Sequence, residues 1–134
     1  MPAHLTLFRH LPPSLEAELG RRLAAHAAAP PPEARLTGVI DLGQGTAFRV
    51  DSEQLEDIRH DLVEAFRGLL IPQDQAPWRP HVTIQNKVEP RQARRLQASL
   101  RAAFQPRPLA IRGLASWRYR DGPWEPVKSH IFRG

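Results

Sequence analysis

The chain contains no cysteine, and this absence removes several kinds of chemistry at once. Disulfide bonds, a thiolate nucleophile and a cysteine-based zinc site are all excluded, and a reducing compartment such as the cytoplasm fits. Long apolar runs are missing too, since none approaches the roughly 20 residues that a membrane-spanning helix needs. The first residues also lack the charged and then apolar segments of a secretion signal, so we expect a cytoplasmic protein with no membrane contact.

Lysine is scarce as well, and arginine supplies almost all of the positive charge. Lys87 and Lys128 are the only lysines in the 134 residues, and the formal net charge is +5. A guanidinium group is planar and can donate two hydrogen bonds to one phosphate, so this composition favours an anionic partner. A bias toward arginine and alanine, with a solvated charged surface, explains the same charge equally well.

The apolar residues, 41% of the chain, are enough for one compact domain, and their spacing predicts its elements. Alternating or β-rich runs predict the strands, at residues 3–10, 36–42, 46–50, 80–88, 109–120 and 124–132. Apolar residues three or four positions apart predict three helices, which begin near Ser14, near Asp51 or Ser52, and at Pro90. Gly43 to Gly45 and Asp121-Gly122 are the expected hairpin turns.

The order strand, helix, hairpin occurs twice, and the two halves match at an offset of 77 positions. The matches include Leu5 with Val82, Thr6 with Thr83, Leu7 with Ile84 and Pro13 with Pro90. We therefore expect an α+β fold of two pseudo-twofold-related lobes, each an antiparallel sheet with helices on its outer face, and a cleft between them. Lobe one would cover roughly residues 1–50 and lobe two roughly 78–134, with a connecting helix at roughly 52–69.

Two copies of one short motif, His-x-Thr, stand at matching places in the two halves, as His4-Leu5-Thr6 and His81-Val82-Thr83. Residues two apart on a strand share a face, so each histidine points the same way as its threonine. The opposite faces carry Leu5 and Leu7 in one strand and Val82 and Ile84 in the other. We expect these apolar residues in the core, which turns both His-Thr pairs toward the cleft. Chance gives about 0.2 such triplets in a chain of this composition, so two copies on alternating strands are a specific signal.

The residues around both motifs resemble the 2H phosphoesterases, a family that includes 2′-5′ RNA ligases and cyclic nucleotide phosphodiesterases. Segments 2–8 and 78–88 look very like its two signature strands, and the likeness extends to residues 117–119 and 122–125. The resemblance implies a two-lobed α+β fold with the motif pairs facing across a cleft. It also implies that His4 and His81 are the catalytic pair and that Thr6 and Thr83 hold the substrate phosphate.

Two imidazoles suit the opening of a 2′,3′-cyclic phosphate, because one can activate water while the other protonates the leaving ribose oxygen. Threonine hydroxyls can stabilise charge on the other phosphate oxygens. The reverse attack by a hydroxyl would be a ligation. The sequence assigns neither the acid nor the base role to a particular histidine.

We therefore predict a phosphoesterase that needs no cofactor and no metal and acts on RNA ends or small nucleotides, with reverse 2′-5′ RNA ligase activity. A catalytic zinc usually takes three protein ligands, and neither motif strand has a carboxylate on its histidine face. The alternative is a non-catalytic module that binds single-stranded RNA, which would have no need for both histidines.

Four other residues are candidates for substrate contacts. Lys87 and Gln85 share the face of the second motif and could contact phosphate or ribose, although a solvated strand end fits equally well. Phe8 and Trp78 could stack on a base, as aromatic residues that bind single-stranded RNA do. Phe48 could do the same, but we expect it in the core.

The first lobe looks shorter than the second. Members of the family usually have a strand and a helix before the first motif, and this chain starts three residues before it. A helix like 52–69 buries about four large apolar side chains, worth roughly 6–12 kcal/mol. We therefore expect a second chain to supply the missing cover, in a homodimer or by exchange of an element. A natural chain that starts further upstream is the alternative.

Overall fold

The computed structural model describes residues 3–119 and 124–133. They form a mixed α/β fold with helices and antiparallel sheets. In chain order, a 3-10 turn at Pro13–Leu15 is followed by α1 (Glu16–Ala27), β1 (Arg35–Asp41), β2 (Thr46–Asp51), α2 (Glu53–Ala65), α3 (Pro72–Gln75), β3 (His81–Gln85), α4 (Pro90–Ala103), β4 (Arg107–Pro108), β5 (Gly113–Tyr119) and β6 (Trp124–Ile131). The predicted turn at Asp121-Gly122 lies outside the described residues.

Helix α2 shows how local sequence sets the elements. Ser52 caps it, because its Oγ accepts a hydrogen bond from the backbone N–H of Leu55 at 3.2 Å and donates one to the carbonyl of Glu33 at 2.7 Å. Leu55, Ile58 and Leu62 are buried on one face, as their spacing predicted. The predicted cap at Ser14 is wrong: Leu15 occupies that position and no side chain caps α1.

Four strands form one antiparallel sheet in the order β3-β2-β1-β4, and β5 pairs with β6 in a second, two-stranded sheet. Gly43 takes a φ of 85° in the predicted turn between β1 and β2, where its N–H donates to Asp41 at 2.7 Å. Because β2 pairs with β3, strands from both predicted lobes meet in the first sheet.

Two hydrophobic clusters make up the core. The larger one joins α1 and α2 to Leu114 of β5 and Phe132, and the smaller one surrounds Leu36 and Val50 of the four-stranded sheet. Leu5 packs against both clusters, which fixes the first motif where they meet. Burial of a leucine side chain contributes about 1.5–3 kcal/mol, so this anchoring is substantial.

Helix α4 packs against β1 and β2. Its apolar spacing predicts an inward face of Ala93, Leu96, Leu100 and Phe104, and only part of that face is buried. Ala93 is buried as expected, whereas Leu96 and Leu100 are only half-buried and Gln97 is 2% exposed. The amide of Gln97 donates to Asp41 Oδ1 at 3.0 Å and to neighbouring oxygens of the β1–β2 turn, so burial leaves it satisfied.

Phe48 belongs to the core, as predicted. It packs against the smaller cluster, and its ring stacks on Phe104 at a centroid distance of 5.8 Å.

Candidate active site

The two His-x-Thr motifs lie side by side at one edge of the four-stranded sheet. Leu5 forms an isolated antiparallel bridge with Val82 of β3. Continuing that register by one residue in each direction sets each histidine opposite the threonine of the other motif, in the pairs His4 with Thr83 and His81 with Thr6. Opposite residues in such a pair have Cβ atoms about 5 Å apart and share a face. The two motif strands were predicted to face each other across a cleft. In the structure the Leu5–Val82 bridge pairs the two motifs directly instead.

Exposure follows the alternation that this pairing requires. The apolar residues Leu5, Leu7 and Val82 pack against the core. On the other face, His4, Thr6 and Thr83 are exposed and His81 is half-buried. The polar face of the motifs is therefore open to a substrate.

The first motif departs from its predicted strand. Residues 3–10 were expected to form a strand, but Leu5 alone forms a bridge to the sheet. Ile84 was expected to face the core beside Val82, yet it is 43% exposed.

One nitrogen of His81 is held by the backbone. Its Nδ1 lies 2.8 Å from the carbonyl oxygen of Arg79. A carbonyl can only accept, so Nδ1 carries a hydrogen and donates it. The neutral ring then has its lone pair on Nε2, which is the form that a general base requires.

Gln85 and Lys87, which were predicted to contact the substrate from the end of β3, are less well placed to do so than the motif residues. The Oε1 atom of Gln85 accepts a hydrogen bond at 3.0 Å from the hydroxyl of Thr46, which is fully buried, so its amide is engaged with the sheet. β3 ends at Gln85, and Lys87 has a left-handed φ of 56°. The alternation that would align Lys87 with His81 therefore stops before it.

Side chains take the place of strand pairing in holding the first motif. Trp78 donates from its indole Nε1 to the carbonyl oxygen of Thr6 at 3.0 Å. Arg59 of α2 donates from Nε to the carbonyl oxygen of Leu7 at 2.9 Å. Two consecutive carbonyl groups, Thr6 and Leu7, are thus fixed from outside the segment.

Asp74 secures the residues that follow. Its carboxylate accepts hydrogen bonds from the backbone N–H groups of Arg9 at 2.8 Å and His10 at 3.1 Å. Its own carbonyl oxygen accepts from Arg59 Nη2 at 2.8 Å. Asp74 itself is 4% exposed, so its side of these bonds is shielded from water, which helps them to hold the geometry.

The guanidinium of Arg59 also lies between two aromatic rings. Its central carbon is 4.8 Å from the ring centroid of Phe8 and 5.3 Å from that of Trp78. Burial lowers the pKa of Arg59, while Asp74 and Glu56 act in the opposite direction. In this structure, one face of the Phe8 ring and one face of the Trp78 ring therefore contact Arg59.

The sequence of the two motifs did not indicate that Arg59 and Asp74 hold the first motif in place. One signal was available: Arg59 lies four residues after Leu55 and three before Leu62, on the apolar stripe of α2. A charge on such a stripe indicates a buried partner. For Asp74, in a connector rich in turn-forming residues, the sequence offers no comparable signal.

Two features of the described part of the chain bear on other classes of function. Within residues 3–119 and 124–133, no group of three or more His, Cys, Asp or Glu side chains is placed to hold a metal ion. In the same residues, no helix is both long enough and apolar enough to span a bilayer. Independence from metals stays a prediction.

A family model for the 2′-5′ RNA ligase superfamily matches residues 1–123 of this chain. No curated protein matches it significantly. Because the family match covers most of the chain, including both His-x-Thr motifs, the protein belongs to the 2′-5′ RNA ligase superfamily. The resemblance to 2H phosphoesterases is thereby confirmed, and the superfamily is generally one of phosphoesterases and ligases.

Proposed function

We propose that this protein is a metal-independent phosphoesterase that opens 2′,3′-cyclic phosphates at RNA ends or on small nucleotides. The observation that carries the proposal is the Leu5–Val82 bridge, which sets the two His-x-Thr motifs in antiparallel register on an exposed face. Membership of the 2′-5′ RNA ligase superfamily supports the same chemistry.

His81 is the general base in this proposal, because its Nδ1 hydrogen is held by Arg79 and Nε2 is left to accept a proton. Water loses a proton to His81 as its oxygen bonds to phosphorus. The bond from phosphorus to one ribose oxygen breaks, and His4 gives that oxygen a proton. The product is a phosphomonoester beside a free ribose hydroxyl.

Thr6 and Thr83 bind the phosphate in this mechanism. Each hydroxyl donates to a non-bridging oxygen, where negative charge accumulates in the transition state. The same arrangement allows a 2′-5′ ligation, in which a 5′ hydroxyl takes the place of water and attacks the cyclic phosphate. The bond from phosphorus to the ribose 3′ oxygen then breaks, and the same two imidazoles move the protons.

The test is turnover of adenosine 2′,3′-cyclic phosphate by the purified chain, followed by liquid chromatography with and without a metal chelator. We expect one phosphomonoester product at an unchanged rate in chelator. Loss of activity on chelation that zinc or manganese restores would place the site among metal-dependent enzymes. Tight binding of single-stranded RNA without turnover would favour the non-catalytic module.

Two features of overall organisation belong to the proposal. We propose that the fold has two lobes with a pseudo-twofold relation, and that a second copy of the chain covers the first lobe. Light scattering at micromolar concentration measures the oligomeric state, and a monomer would refute the homodimer.

A further inference from the structure

The open face of the sheet continues from His81 onto two neighbouring strands. Arg49 of β2 is the direct cross-strand partner of His81, so the two side chains share a face. On its other side Arg49 is opposite Gly38 of β1, which has no side chain to occupy that face. The nearest neighbour of a Cβ placed at Gly38 would be Arg49 Nη1 at 3.4 Å, so the guanidinium lies over the glycine.

A groove of about 240 Å³ lies beside these residues. Its lining residues include Arg49, Arg79 and Trp78, together with Asp51 and Glu56. Pro80, which immediately precedes His81, also lines it, so the groove adjoins the second motif.

Both arginines are available to an anion. The salt bridges found within residues 3–119 and 124–133 involve other arginines, on α1, after α2 and on β5. Asp51 lies on β2 two residues from Arg49 and forms none of them with either groove arginine. An exposed guanidinium without a carboxylate partner can form a bidentate contact with phosphate.

The distance from the groove to His81 determines which phosphate group of a substrate the groove could bind. Adjacent strands are about 4.8 Å apart, so Gly38 on β1 lies about 10 Å from His81 on β3. A guanidinium placed over Gly38 is therefore too far away to bind the phosphate that reacts at His81. A second phosphate, one nucleotide away, matches the separation better.

We propose that Arg49 and Arg79 form a subsite for the phosphate on the 5′ side of the nucleotide that carries the cyclic phosphate. This inference rests on the proposed function and names its substrate class: RNA ends and 5′-phosphorylated nucleotides rather than nucleosides with a cyclic phosphate alone. The carboxylates of Asp51 and Glu56 accept hydrogen bonds from ribose hydroxyl or base amino groups along the same groove.

The experiment compares two substrates that differ in one group, adenosine 2′,3′-cyclic phosphate with a 5′ hydroxyl and with a 5′ phosphate. We expect the wild-type chain to favour the 5′-phosphorylated substrate by about tenfold in kcat/KM, as charge-assisted contacts to phosphate allow. Arg49→Gln and Arg79→Gln should each reduce that ratio toward one. Arg21→Gln, at an exposed position on α1, removes the same charge and should keep the ratio.

The possible results distinguish a failure of the 5′-phosphate subsite from a failure of the proposed phosphoesterase activity. Wild-type turnover of both substrates at equal kcat/KM would overturn the subsite and leave the phosphoesterase intact. An equal loss on both substrates in Arg49→Gln would assign this arginine to the reacting phosphate and overturn the subsite too. No turnover of either substrate by the wild-type chain would refute the proposed function and the subsite together.

Discussion

Trp78 and Thr6 are 72 residues apart in the chain and are joined by a hydrogen bond of 3.0 Å from the indole Nε1 to the backbone carbonyl oxygen. The bond links the residue three positions before His81 to the threonine of the first motif. Together with the Leu5–Val82 bridge, it makes the spacing between the motifs a property of the folded chain rather than of either motif alone.

Trp78→Phe tests this link, because it removes the indole N–H and keeps an aromatic ring for Arg59. We expect turnover to fall several-fold and the free energy of unfolding to fall by about 0.5–1.5 kcal/mol, the usual net value of one hydrogen bond. Urea denaturation and steady-state kinetics measure the two effects. Unchanged turnover would show that the motifs keep their geometry without Trp78.

Arg59→Met has a larger expected effect on stability. The methionine fills part of the space but leaves the carbonyl oxygens of Leu7 and Asp74 without their donor in a buried place. We expect a loss of about 2–4 kcal/mol in the free energy of unfolding. Arg67→Met is the matched control, since Arg67 is exposed and pairs with its near neighbour Glu64. Similar losses in both variants would contradict the anchoring role.

The sequence predicted the core face of α2 and the core packing of Leu5 and Val82, because the spacing of apolar residues is a local signal. It failed where tertiary contacts replace local ones. Residues 3–10 alternate like a strand, yet the carbonyls of Thr6 and Leu7 bond to side chains of Trp78 and Arg59. Such bonds depend on which segments the fold brings together, and alternation alone carries no information about them.

Arg49 shows the same limit within the site. Its sequence neighbours identify a strand residue with an exposed charge, and nothing more. Its position beside His81 follows from the β2–β3 register, and the room for its guanidinium follows from Gly38 on the next strand. Register depends on pairing between distant segments, so it became visible only in the folded chain.

The histidines carry the central prediction about turnover. His4→Ala and His81→Ala should each lower kcat on a 2′,3′-cyclic nucleotide by about a hundredfold or more, the usual contribution of one acid or base. His60→Ala, at an exposed position on α2, is the control for loss of an imidazole. Near wild-type activity in either motif variant would exclude a mechanism with paired imidazoles.

Thr83→Val should have a milder effect than loss of a histidine. It removes one hydroxyl donor and keeps the shape of the side chain, so we expect kcat to fall by about tenfold with little change in stability. Thr37→Val is a matched control, because the Thr37 hydroxyl is buried without a hydrogen-bond partner in the described residues. That control should retain activity and stability. A Thr83 variant as active as the Thr37 variant would remove Thr83 from the phosphate site.

The lowered pKa of Asp41 predicts how the stability of the fold depends on pH. The backbone N–H of Gly43 lowers the pKa of Asp41 most, and the side chain of Gln97 lowers it further. A carboxylate with a lowered pKa in the folded state stabilises the fold above its ordinary pKa of 3.8, and that contribution is lost as the pH falls through the folded-state pKa. Asp41→Asn keeps an acceptor for Gly43 but has no charge to titrate. We therefore expect the wild-type Tm to exceed the variant's at pH 7 and the gap to close as the pH falls below 3.8, measured by thermal unfolding. A gap of the same size at pH 7 and at pH 2 would mean that Asp41 acts by shape rather than by charge.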